Sequence, residues 1–179
     1  IGELEPQIRE RIGEFIFGVD DETLEVVVGK ALTANNYTIA LAESCTGGAV
    51  TARLTDVPGS SAYLAGSVVS YSNRIKSGVV GVPEHILAAK GAVSEETARA
   101  MAEGIRSRFT VDIGVGITGI AGPDGGTPEK PVGLVYIAVA GPQGTVAVEE
   151  RFAGQRSVIR MRSSNAALDM VRRYLNRQG

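Results

Sequence analysis

The sequence predicts an α/β protein: a three-layer α/β/α sandwich around a mixed, mostly parallel sheet. Three observations predict it. Helical and strand periodicities interleave along the chain, the order that places helices on both faces of a sheet. The stretches 37–42 and 134–140 are near-continuous apolar runs, the pattern of strands covered on both faces. Pro142-Gln143-Gly144 forms a tight turn between the last two strand-like stretches, so one late pair is antiparallel.

The elements follow in order. Ile1, Leu4, Ile8, Ile12 and Phe15 recur at helical spacing and predict an amphipathic helix ending near Gly18. Asp20 or Asp21 is expected to cap the next helix, because a short carboxylate satisfies the free N–H groups of a first turn. Leu24, Val27, Val28, Ala31 and Leu32 form its apolar face, and Asn35-Asn36 ends it. A buried strand over 37–42 leads into Glu43-Ser44-Cys45-Thr46-Gly47-Gly48, then a helix over 48–54 and a loop at Pro58-Gly59. Residues 62–71 predict a second strand, 72–79 a short helix, and 83–89 another short helix opened by Pro83. Ser94 is an N-cap, with Glu95 and Glu96 favourably placed in the first turn of a helix carrying Met101, Ile105 and Phe109. Val111, Ile113, Val115 and Ile117 alternate with Asp112, Gly114, Gly116 and Thr118, the period of a strand. A long loop reaches Pro131; strands over 134–140 and 146–152 and a final helix over 156–176 complete the chain. Residues 1–19 are expected to be a linker helix from an upstream domain, and 20–179 one domain.

Composition narrows the chemistry. The 179 residues include one cysteine (Cys45), one histidine (His85) and no tryptophan. One cysteine makes neither an internal disulfide nor a CxxC zinc site. One histidine leaves no room for a multi-histidine metal site, and neither metal nor cofactor is expected. A net charge of −2 lacks the basic footprint of a nucleic-acid binder. No apolar run approaches the roughly 18 residues of a membrane span, so a cytoplasmic setting is expected. The 23 glycines are nearly twice the usual share of about 7%, and their positions matter.

Two places concentrate them. The first is Gly47 and Gly48, behind Glu43, Ser44, Cys45 and Thr46. Ligands of open α/β sheets bind beyond the carboxyl ends of strands. The following helix is expected to present free N–H groups there, a seat for a phosphate or a developing oxyanion. The same turn also reads as a plain helix cap, and Cys45 as either a nucleophile or a small buried hydrophobe. A serine nucleophile needs a base. His85, at a helix start, reads as an ordinary exposed histidine. Lys76 in Tyr71-Ser72-Asn73-Arg74-Ile75-Lys76 follows the second strand and can serve if burial lowers its pKa. Spacing alone does not choose between that pair and a solvated lysine. The second place is Gly114–Gly133, with seven glycines in twenty residues and three stiffening prolines. It lacks the Gly-Lys-Ser/Thr of a P-loop, and no helix opens directly behind it as in a dinucleotide fingerprint. It reads as a ligand-wrapping loop or as a surface hairpin.

Taken together, Ala42-Glu43-Ser44-Cys45-Thr46-Gly47-Gly48, Tyr71-Ser72-Asn73 with Lys76, Gly91-Ala92-Val93-Ser94-Glu95, and Gly119-Ile120-Ala121-Gly122-Pro123-Asp124-Gly125-Gly126 through Lys130-Pro131-Val132-Gly133 resemble the CinA family, specifically its C-terminal domain. The similarity continues to the last helix. The segment Glu14-Phe15-Ile16-Phe17-Gly18 resembles the linker before that domain in longer members, whose upstream domain is associated with ADP-ribose pyrophosphatase activity. A start at Ile1 rather than Met fits an excised domain.

The resemblance implies a CinA-like fold and an amidohydrolase converting nicotinamide mononucleotide to nicotinic acid mononucleotide and ammonia, in pyridine-nucleotide recycling. It places the nucleophile on Ser44 and the assisting lysine on Lys76, with Tyr71 nearby and Thr118 lining the pocket. Thr46, Gly47, Gly48, Asn73, Gly119 and Gly122 are the expected substrate-binding positions. Arg156 is the expected phosphate ligand and Arg160 the second candidate. A homodimer is expected. Two positions depart from the family pattern. Lys90 stands where members often carry histidine, and Gly154-Gln155-Arg156 where they often read Gly-Asp-Arg, which weakens the assignment of Arg156. The competing readings are a nucleotide-binding or regulatory module without turnover, and a nucleic-acid or protein-interaction module disfavoured by the charge.

Overall fold

The computed structural model describes residues 5–176. The chain forms α1 (Glu5–Ile12), α2 (Leu24–Ala34), β1 (Ile39–Glu43), α3 (Ala49–Thr55), β2 (Leu64–Val69), α4 (Asn73–Ile75) running into a π-helical turn (Lys76–Val80), α5 (Glu84–Lys90), α6 (Glu95–Phe109), β3 (Ile113–Gly119), β4 (Leu134–Gly141), β5 (Gly144–Arg151) and α7 (Arg156–Asn176). Among the described residues the sheet has five strands in the order β2-β1-β3-β4-β5. β1 pairs parallel with β2 and β3, whereas β4 is antiparallel to both its neighbours. Four of the five strands therefore point one way, and the sheet is mixed as expected.

The layers follow from alternation along the strands. Ile39, Leu41, Ile113, Val115, Ile117, Val135, Ile137 and Val139 share one core with Val28 and Leu32 of α2, Leu54 of α3, and Ile159, Leu168 and Val171 of α7. Ala40 and Ala42 face the other way, toward Met101 and Ile105 of α6 and Val80 and Val82. Ala138 and Ala140 pack on Ala98 and Ala102 of the same helix.

Both faces of β3 are buried. Its glycine face is covered by α6 so closely that a Cβ at Gly114 would lie 2.1 Å from the Ala102 carbonyl oxygen, and one at Gly116 2.2 Å from that of Ala98. Glycine and alanine on that face let the helix sit against the strand backbone.

Two local expectations change. Neither Asp20 nor Asp21 caps α2: the N-cap position is Thr23, in extended backbone, and Asp20 is left-handed with φ 51°. Of the first predicted helix, Ile1 and Leu4 lie outside the described residues, while Ile12 and Phe15 are exposed rather than buried. Ser94 caps α6 as expected, accepting from the Thr97 N–H at 3.2 Å.

Candidate active site

Three parallel strands end side by side, with Glu43 of β1 opposite Val69 of β2 and Ile117 of β3. The segments that follow them build the site. Ser44 extends the β1 pairing by one residue, its N–H donating to the Ile117 carbonyl at 2.9 Å. From beyond β2, the π-helical turn sends Lys76 back into the protein, where its side chain is 1% exposed. Irregular turns of this kind often occur at functional sites. Lys76 Nζ donates to Ser44 Oγ at 2.9 Å and to the Ser70 carbonyl at 2.6 Å. Burial penalises the ammonium and pulls the Lys76 pKa below the ordinary lysine value, partly opposed by the neighbouring Cys45. The structure thus joins the two residues whose sequence spacing left them unpaired.

Cys45 points into the core, and burial pushes its thiol up to about 11. It is a small buried hydrophobe, because a protonated thiol is a poor nucleophile.

The helix N-terminus behind the serine is not open, contrary to the expected phosphate or oxyanion seat. The Glu43 side chain, fully buried, accepts from the N–H groups of Gly48 (3.0 Å), Val50 (3.2 Å) and Thr51 (2.8 Å) and from the Thr51 hydroxyl (2.6 Å). The carboxylate is the cap of α3 and occupies the positive end of its dipole. A helix entered through two glycines has no side-chain cap of its own, so an acceptor must come from elsewhere. That missing cap was the sequence signal for Glu43.

The remaining candidates fall into two groups around α7. Arg156, exposed at its first residue, donates from Nη1 to the Gly122 carbonyl at 2.8 Å and from Nη2 to the Tyr71 hydroxyl at 2.9 Å. One arginine therefore ties the glycine loop to the segment after β2. One turn later Arg160 donates from Nε (3.2 Å) and Nη2 (2.7 Å) to the Thr46 carbonyl. Among the described residues neither guanidinium has a carboxylate partner. Gly47 and Gly48 both have positive φ, 63° and 90°, and turn the chain from the serine into α3.

Other residues are less directly placed. Thr118 is buried and donates to the Ala92 carbonyl at 2.6 Å, tying β3 to the loop before α6 rather than to Lys76. Asn73 is exposed at the start of α4. At Gly119 a Cβ would lie 2.7 Å from the Leu134 carbonyl oxygen, so chain packing accounts for that glycine. Lys130 holds the far side of the glycine loop by donating to the carbonyls of Lys90 (2.8 Å) and Val93 (2.7 Å). His85 is exposed. Among the described residues no helix is long and apolar enough to cross a membrane, and no group of three or more metal-ligating side chains occurs.

Known proteins resemble this chain in sequence and in fold. A competence-damage inducible protein of Moorella thermoacetica is 53% identical over 176 residues, covering 98% of this chain and 42% of that protein. A CinA-like protein of Gemmatimonas aurantiaca is 50% identical, covering 96% of this chain and 40% of its own. The chain thus spans less than half the length of these relatives. Among solved structures, the competence/damage inducible protein CihA of Agrobacterium tumefaciens superposes with a TM-score of 0.83 at 39% identity, covering 90% of this chain and 98% of that one. A CinA superfamily protein of Klebsiella pneumoniae gives 0.83 at 31% identity, covering 86% and 96%. With the CinA C-terminal domain model matching residues 21–175, the chain belongs to the CinA family.

Proposed function

We propose that this domain is a nicotinamide mononucleotide amidohydrolase working through a serine–lysine pair. The observation that carries the reading is the 2.9 Å contact between Lys76 Nζ and Ser44 Oγ, made by a lysine whose burial favours its neutral form. A neutral amine has a lone pair to receive the serine proton, and a buried lysine is the usual way to obtain one near neutral pH.

The reaction then runs in two halves. Ser44 Oγ attacks the carboxamide carbon as its proton passes to Lys76, and the carbonyl π electrons move to oxygen. Collapse of that intermediate breaks the C–N bond. Lys76 returns the proton to nitrogen, and ammonia leaves an ester on Ser44. Water attacks the ester carbon, giving a proton to Lys76; the C–Oγ bond breaks and Lys76 reprotonates Ser44. The product is nicotinic acid mononucleotide. The Ser70 carbonyl aims the amine by accepting one of its N–H groups. Arg156 is the assigned phosphate ligand: it is exposed, has no carboxylate partner among the described residues, and its fork matches phosphate. Tyr71 and the Gly122 carbonyl orient it.

Ammonia release from nicotinamide mononucleotide tests the reading. The wild-type chain is expected to turn over, and Ser44→Ala to lose about 10³-fold or more in kcat. Tight nucleotide binding with no ammonia over hours makes the domain a binding module instead.

A further inference from the structure

Stabilising the tetrahedral intermediate requires donors to its negative oxygen, and the α3 terminus is already claimed by Glu43. Two residues past the nucleophile, Thr46 is fully buried, and its hydroxyl has no hydrogen-bond partner among the described residues. A buried polar atom left unpaired is costly and is retained where something else completes it. The same residue is gripped from outside. Arg160 places both Nε and Nη2 on the Thr46 carbonyl, at 3.2 and 2.7 Å. Gly47 leaves room for that grip: a Cβ there would stand 3.3 Å from Arg160 Nη2. The guanidinium thus spends two donors on the nucleophile turn, whereas Arg156 on the same helix face is exposed. We propose that the Thr46 hydroxyl donates to the oxyanion formed on Ser44, and that Arg160 is the positioning residue that holds Thr46 in place. Side-chain hydroxyls serve as oxyanion donors elsewhere. This deepens the serine-nucleophile reading and rests on it; it also takes Arg160 out of the phosphate role.

Two reactions test it. One is turnover of nicotinamide mononucleotide and of its phosphate-free riboside. The other is inactivation by a fluorophosphonate, in which Ser44 Oγ bonds to phosphorus, fluoride leaves and Lys76 takes the proton. Thr46→Val is expected to lower kcat and the inactivation rate by about 10²–10³-fold, the usual loss for one such donor, with KM within threefold. Thr46→Ser, which keeps the hydroxyl, is expected to stay within tenfold of wild type. Arg160→Lys is expected to lower kcat by one common factor on both substrates. If Thr46→Val does not fold, Thr46→Ala takes its place in the comparison with Thr46→Ser. Activity within threefold of wild type in the folded hydroxyl-less variant overturns the donor assignment. An Arg160→Lys defect confined to KM for the phosphorylated substrate overturns the positioning role. If the wild type releases no ammonia from the nucleotide, the substrate reading fails. The fluorophosphonate rates still decide whether Thr46 and Arg160 serve Ser44.

Discussion

Lys76 is a lysine that water hardly reaches, and in the proposed mechanism its protonation bears on both activity and stability. Its folded pKa lies below the ordinary value of about 10.4. The base must be neutral to accept the Ser44 proton, so kcat/KM is expected to rise with pH through a midpoint below that value and then level. A pH–rate profile measures it. The stability consequence has the same sign. Between the lowered folded pKa and the higher unfolded one, the unfolded chain binds more protons, so stability rises with pH through that window. Below the folded pKa the chain carries the full penalty of burying a cation. Lys76→Met, of similar shape and without charge, is expected to be inactive yet more stable than wild type at neutral pH, with the gap narrowing as pH rises. Urea unfolding at two pH values checks it. At this scale spacing supplied Ser44 and Lys76 only as separate candidates, and the family resemblance paired them. Their contact was not legible from periodicity or spacing, because it depends on a π-helical turn that redirects the lysine. Arg160 was legible only as a cation; that it serves the Thr46 carbonyl depends on how α7 lies across the turn.

Among the elements, β3 shows how glycines inside a strand signal its packing. Its alternation of apolar residues with glycine gives two faces, both of them buried, and the missing side chains at Gly114 and Gly116 let another element come close. The small face exists so that α6 can approach, bringing its N-terminal loop to the end of the strand, where Thr118 meets Ala92. Gly116→Ala drives a Cβ into the Ala98 carbonyl, 2.2 Å away on helix backbone that has no rotamer to yield. The expected cost is about 1–3 kcal/mol of stability, measurable by chemical denaturation. The α3 terminus gives the opposite lesson. A strand, a glycine pair and a helix were all legible, and a ligand seat was inferred from them. That inference failed because the preceding residue, Glu43, reaches forward to fill the seat. Helix-end sites are open only when the chain leaves their N–H groups unspent.

Across the whole molecule, the parallel order β2-β1-β3 brings three otherwise unrelated loops to one edge. The serine turn follows β1, the lysine turn β2, and the glycine loop β3, while α7 begins beside them with its arginines. Interleaved periodicities were enough to predict this sandwich, because helix and strand patterns survive burial. The strand order, which makes the site, rests on long-range pairing and had to be seen. Placing the dyad at this edge leaves its chemistry as the claim to test. Turnover of nicotinamide mononucleotide in the presence of hydroxylamine does so most directly. An ester on Ser44 partitions between water and hydroxylamine, so both acid and hydroxamate products are expected, and neither from Ser44→Ala. Acid alone, formed equally well by Ser44→Ala, would contradict it.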